Sequence, residues 1–118
     1  MKNFPRKVVV VEGLRTPFAR IGKELKGFHP ADLAFQNLKE LILRSKISSE
    51  EIDEVIIGNV ANLPDAANIA RVAALRAGLP QVSAFTVHRN CASSLESIVT
   101  GTAKIQSGLA QTIIAGGV

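Results

Sequence analysis

Four short apolar runs, separated by longer stretches of mixed polarity, organise the chain. The first, Lys7–Val11, holds four consecutive valines and suits a strand covered on both faces. A loop containing glycine follows from Gly13 to Pro30. Pro30 fits the first turn of a helix, and Asp32 is favourable near its positive end. Ala31, Ala34, Leu38, Leu41 and Ile42 recur at helical spacing, which predicts an amphipathic helix over 31–45. Ser48 and Glu51 have the spacing of a capping box opening a single helical turn. Val55–Ile57 is the second apolar run, closed by Gly58-Asn59.

Asp65 is placed to cap an alanine-rich helix over 66–76, stopped by Gly78 and Pro80. Ser83–Val87 is the third strand candidate. A third helix is expected from about Cys91 to Gln106, with Leu95, Ile98, Val99 and Ala103 on its inner side and Gly108 as its stop. Thr112–Ala115 is the fourth strand candidate, leading into Gly116-Gly117. The order β-α-β-α-β-α-β predicts an α/β fold, a largely parallel sheet with helices on both faces. In open sheets of this kind ligands bind at the carboxyl ends of the strands. The sequence reaches Val118 directly after such an end, and the expectation is the front part of a longer polypeptide.

Composition narrows the classes. The chain has 118 residues, 47% hydrophobic and 20% charged, which fits one globular domain rather than a disordered segment. No run approaches the roughly 18 apolar residues of a membrane span, and Met1–Lys7 lacks the apolar block of a signal peptide. A cytoplasmic protein without membrane contact is expected. One cysteine excludes an internal disulfide, and one cysteine with two scattered histidines makes a poor metal site, so no metal is expected. The net charge of +4 sits in residues 1–26, where seven basic side chains face two acidic ones. Few aromatics accompany them, so they read as a solvated surface and not as a nucleic-acid site.

Cys91 is the residue whose position suggests chemistry. It falls where the third strand gives way to a helix, in Val87-His88-Arg89-Asn90-Cys91-Ala92-Ser93-Ser94. A thiol there faces the free N–H groups and positive dipole end of the helix, which favour a thiolate. The same N–H groups can stabilise an oxyanion on a thioester carbonyl attacked by the sulfur. Arg89 is close enough in sequence to assist. A lone cysteine is also commonly a small packed apolar residue, and position alone leaves both readings open. His88 is as compatible with a structural role as with a base, and His29 reads as a loop residue before a helix. No dinucleotide fingerprint, phosphate loop or carboxylate pair is present.

Taken together, several segments resemble the N-terminal part of the thiolases, the acetyl-CoA acetyltransferase and 3-oxoacyl-CoA thiolase family. They are Arg15-Thr16-Pro17-Phe18, Asp53–Val60, Asn68-Ile69-Ala70-Arg71, Ala77-Gly78-Leu79-Pro80, Thr86-Val87, Asn90-Cys91-Ala92-Ser93 and Ala115-Gly116-Gly117. Each is weak alone; the set in this order is specific and spans nearly the whole chain.

The resemblance implies that residues 1–118 are an N-terminal thiolase domain, with the loop domain and the C-terminal half absent. It implies Cys91 as the nucleophile that carries the acyl group as a thioester, and acyl-CoA and CoA as substrates. No bound cofactor is implied. The implied reaction is thiolytic cleavage of a 3-oxoacyl-CoA or the reverse Claisen condensation. The family's Gly-His-Pro, Asn-Glu-Ala-Phe and Cys-x-Gly motifs do not occur in these 118 residues. Gly27-Phe28-His29-Pro30 copies the first in letters, but it has an inserted Phe and precedes the nucleophile. His29 therefore receives no role, and the piece alone is expected to be inactive. Ser94 and His88 stand where the family often has Gly and Asn, Ser or Thr. The resemblance also implies a spatial strand order of 3-2-1-4 and, for the full-length enzyme, a homodimer or homotetramer, with the dimer formed through strands near Ser83–Val87 and the nucleophile turn. The competing readings are a ketoacyl-synthase-like condensing enzyme and a truncated, non-catalytic interaction module.

Overall fold

The computed structural model describes residues 6–118; Lys2, one of the seven basic side chains counted in residues 1–26, lies outside them. The elements run α1 (Pro30–Ser45), β1 (Glu54–Gly58), α2 (Ile69–Arg76), β2 (Ser83–Val87), α3 (Ser93–Gln106) and β3 (Ile113–Gly117). Single 3-10 turns at Ser49–Glu51 and Pro64–Ala66 join them. The three strands form one parallel sheet in the order β2-β1-β3. All five residues of β1 are buried, as its central place requires.

Local chemistry explains most element ends. Pro30 opens α1, and His29 rather than a hydroxyl residue caps it, its Nδ1 accepting from the Ala31 N–H at 3.1 Å. The Glu51 carboxylate accepts from the Ser48 N–H at 3.0 Å, completing the expected capping box. Lys46, at φ 58°, ends α1 in the left-handed region.

One face of β1 presents Val55 and Ile57 to α2, against which α1 packs. Ala31, Ala34 and Leu38 of α1 and Ile69, Ala70, Ala73 and Ala74 of α2 are buried there, as helical periodicity predicts. The small alanines let the two helices approach closely, and Arg76 pairs with Asp32 at 2.7 Å across them. α3 covers the opposite face of the sheet, against β3 and β1.

Four sequence expectations need correction. Lys7–Val11 forms no strand: no neighbour among the described residues supplies backbone partners, and Val9, Val10 and Val11 are exposed. A β-branched run has β propensity only where a sheet receives it. Consequently the strand order 3-2-1-4 does not hold; the fourth candidate pairs directly with the second. Asp65 does not cap the second helix. A 3-10 turn intervenes, and Asn68 caps α2 through its side-chain oxygen, which accepts from the Arg71 N–H at 3.2 Å.

The fourth correction concerns α3. Its buried residues are Ser93, Ser97 and Gly101, while Leu95, Ile98, Val99 and Ala103 point away from the sheet. The reason is distance. A Cβ on Gly101 would lie 3.2 Å from Ile113 Cγ2. The helix therefore approaches through its narrow side. The Ser97 hydroxyl satisfies itself in that contact, lying 2.6 Å from the Ser94 carbonyl and 2.8 Å from that of Gly116.

Candidate functional site

The carboxyl ends of all three strands meet the start of α3. A Cβ on Gly58 would fall 2.2 Å from the Ser93 carbonyl carbon, and one on Gly117 would fall 1.7 Å from Ser94 Oγ. No side chain fits at either position, so both glycines are required for α3 to seat its first turn on β1 and β3. Asn59, buried, binds the adjoining ends together. Its Nδ2 donates to the Val118 carbonyl at 2.8 Å, and its Oδ1 accepts from the Asn62 N–H at 3.0 Å. The Val118 N–H returns to the Gly58 carbonyl at 3.0 Å, and the Asn59 N–H donates to the Val87 carbonyl at 3.1 Å.

Cys91 stands in the turn between β2 and α3, two residues before the helix begins, and it is exposed. The turn itself is tightly held. The Ser93 hydroxyl accepts from the Arg89 N–H at 2.8 Å and donates to the Asn90 carbonyl at 2.6 Å. The Ala92 and Ser93 N–H groups donate to the Arg89 and Asn90 carbonyls. Asn90 lies in the left-handed region at φ 48°, which Asn tolerates better than most residues with a Cβ.

Arg89 is not free to act on the thiol. It is paired with Glu96 in the first turn of α3, and that carboxylate, by hydrogen bonding first and charge second, holds the guanidinium above its usual range. The His88 Nδ1 accepts from the Asn90 N–H at 3.3 Å, so His88 braces the turn on its own side. His29 is committed elsewhere: its Nε2 lies 3.3 Å from Asp65, beside the cap it makes for α1.

The sequence pattern has Gly116-Gly117 only as what the fourth strand leads into, and passes over Ser93, Gly58 and Asn59 as site elements. A signal was present for the glycines, since each closes an apolar strand at the end where a helix must dock. None was present for Ser93, whose role depends on the path of the turn. Among the described residues, no group of three or more His, Cys, Asp and Glu is arranged to hold a metal ion, and no helix is long and apolar enough to cross a membrane.

The chain is thus a parallel α/β layer with an exposed cysteine at a strand–turn–helix junction. Residues 8–118 match the family described as thiolase, N-terminal domain, and the chain belongs to that family. It is 39% identical over 112 residues to the 3-ketoacyl-CoA thiolase of Yersinia pestis (strain Pestoides F), covering 94% of this chain and 26% of that protein. The 3-ketoacyl-CoA thiolase of Yersinia pseudotuberculosis serotype O:1b (strain IP 31758) matches to the same extent. Among solved structures, the Acat5 thiolase of Ascaris suum in complex with coenzyme A aligns with a TM-score of 0.82 and 34% identity, over 88% of this chain and 28% of that one. The acetyl-CoA acetyltransferase of Bacillus anthracis aligns at 0.76 with 40% identity, over 80% and 24%. The chain thus spans about a quarter of the length of the relatives it matches.

Proposed function

We propose that this chain contributes the nucleophile of a thiolase-type acyltransferase, with Cys91 accepting the acyl group of a CoA thioester. The observation that carries the reading is the exposed Cys91 in a side-chain-braced turn at the start of α3, in a chain of the thiolase N-terminal family. In the thiolytic direction the Cys91 thiolate attacks the 3-oxo carbonyl of a 3-oxoacyl-CoA. The C–C bond then breaks, leaving the acyl group on sulfur and acetyl-CoA as the enolate, which takes up a proton. CoA thiol next receives the acyl group and releases Cys91. Backbone N–H groups at the start of α3 stabilise the oxyanion of each addition. The proton transfers to the enolate and from CoA require acid and base groups that these 118 residues do not supply, so the chain alone has no turnover.

The substrate class rests on relatives named for 3-ketoacyl-CoA and acetyl-CoA chemistry, one of them solved with coenzyme A. An assembly of two or four copies fits the same reading, because β2 lies at the edge of the sheet with no strand on its outer side among the described residues, where Asn68 Nδ2 donates to the Ala84 carbonyl at 3.0 Å. The reading is tested by joining residues 8–118 to the rest of a curated relative in place of its matching segment. The chimera is expected to cleave acetoacetyl-CoA in the presence of CoA, and Cys91→Ser is expected to abolish that cleavage while leaving the fold intact. Full activity in the Cys91→Ser chimera would refute it.

A further inference from the structure

We propose that Ser93 and Glu96, both in the first turn of α3, act together as positioning residues for Cys91; this rests on the nucleophile reading above. The turn that carries Cys91 is unfavourable by itself, because Asn90 is held in the left-handed region. Two braces from α3 stabilise it from opposite sides. Ser93, only 2% exposed, works from inside: one hydroxyl accepts the Arg89 N–H and donates to the Asn90 carbonyl, fixing both residues that precede the cysteine. Glu96 works from outside, gripping the Arg89 side chain with one carboxylate oxygen while the other accepts from Thr100 Oγ1 at 3.4 Å. The Glu96 N–H donates to the Ala92 carbonyl at 2.8 Å, so this grip is anchored in the helix it belongs to.

Both braces span Cys91 without depending on its side chain. Ser93 ties residues 89 and 90 to residue 93, and Glu96 ties residue 89 to residue 96. The sulfur is thereby kept in one place, two residues before α3 begins and beside the ends of the strands. A turn released from either brace samples other backbone states, and the sulfur spends less time in the productive place. The charge of Glu96 is also well sited in its own right, since a carboxylate in a first helical turn is favourable.

The test uses the 118-residue chain and the rate at which iodoacetamide alkylates Cys91 at fixed pH, read by peptide mass spectrometry. Hydrogen exchange at Asn90–Ala92 and the thermal midpoint are followed in parallel. Ser93→Ala is expected to slow alkylation about tenfold, because two hydrogen bonds to the turn are lost at once. Glu96→Gln is expected to slow it about two- to fivefold, in line with a partly exposed ion pair, with the thermal midpoint nearly unchanged. Exchanging the charges, Arg89→Glu with Glu96→Arg, is expected to recover most of the wild-type rate.

A folded Glu96→Gln chain with wild-type alkylation and exchange rates overturns the proposal, as does a charge exchange that recovers nothing. If Ser93→Ala fails to fold, the Glu96 variant and the exchange decide. A wild-type Cys91 that alkylates no faster than in the urea-unfolded chain overturns the bracing, while the nucleophile reading is decided separately by the Cys91→Ser chimera. A faster wild-type rate that neither brace alters overturns the bracing alone.

Discussion

The two faces of the sheet are built on opposite plans. On the α1 and α2 side, apolar residues point inward and polar residues outward, and alanines set the spacing between helices. On the α3 side, the helix turns its small and hydroxylated residues to the sheet and its Leu95, Ile98 and Val99 away from it. The first face is stabilised by buried apolar area. The second depends on contact at backbone distance, and that is what delivers the start of α3, with Cys91 before it, onto the ends of the strands. An amphipathic pattern therefore shows which side of a helix is apolar, not which side meets the sheet.

The sharpest break of this contrast is Gly58→Val. Its Cβ would meet the Ser93 backbone at 2.2 Å, with no flexible side chain to yield, so the expected loss is about 3 kcal/mol or more, seen as a collapsed urea midpoint. An unchanged midpoint would mean that α3 does not rest on β1 as described. On the other face, Ile69→Ala opens a cavity beside residues that are fully buried and should cost about 2–4 kcal/mol in the same assay.

The contrast is sharpened by Ile98→Ser, at an outward position 47% exposed. Its expected effect is within about 0.5 kcal/mol. A loss as large as that of Ile69→Ala would place this side of α3 against the sheet after all.

The smallest effect belongs to the amino end of the strands. Asp53 Oδ2 accepts from the N–H groups of Gln111 at 2.7 Å and Thr112 at 3.0 Å, and these two bonds lower its pKa below the ordinary 3.8. As pH falls, the unfolded carboxylate takes up its proton first. The contribution is therefore complete above about pH 4 and is lost as pH falls through the lower folded value. Because Asp53 is exposed, solvent screening keeps this contribution small. Asp53→Asn should flatten the pH dependence of the urea midpoint between neutral pH and pH 3. An identical slope in the variant would remove Asp53 from the account.

What was legible in the sequence follows from what is local. The α1 stripe, the capping box at Ser48 and the strands around Val55, Ser83 and Ile113 are written in spacing and residue type, and the structure has them all. The junction at Cys91 was legible for the same reason, since a strand must end before a helix begins. Strand order and the orientation of α3 were not. Val8–Val11 has strand chemistry but no partner strand among the described residues, and a partner is a property of the rest of the fold. The docking of α3 is fixed by Gly58, Gly101 and Gly117, which act by having no side chain and so leave no trace in hydrophobic periodicity. Ser93 and Glu96 brace the turn across three and seven residues of a path that spacing alone does not specify.

The central claim is that Cys91 carries the acyl group. Brief exposure of the chimera to acetyl-CoA, followed by acid quenching and peptide mapping, tests it most directly. An acetyl thioester on the Cys91 peptide that is absent in Cys91→Ser, and discharged on adding CoA, is the predicted result. An acetyl group mapped to another residue, or turnover that persists in Cys91→Ser, would contradict it.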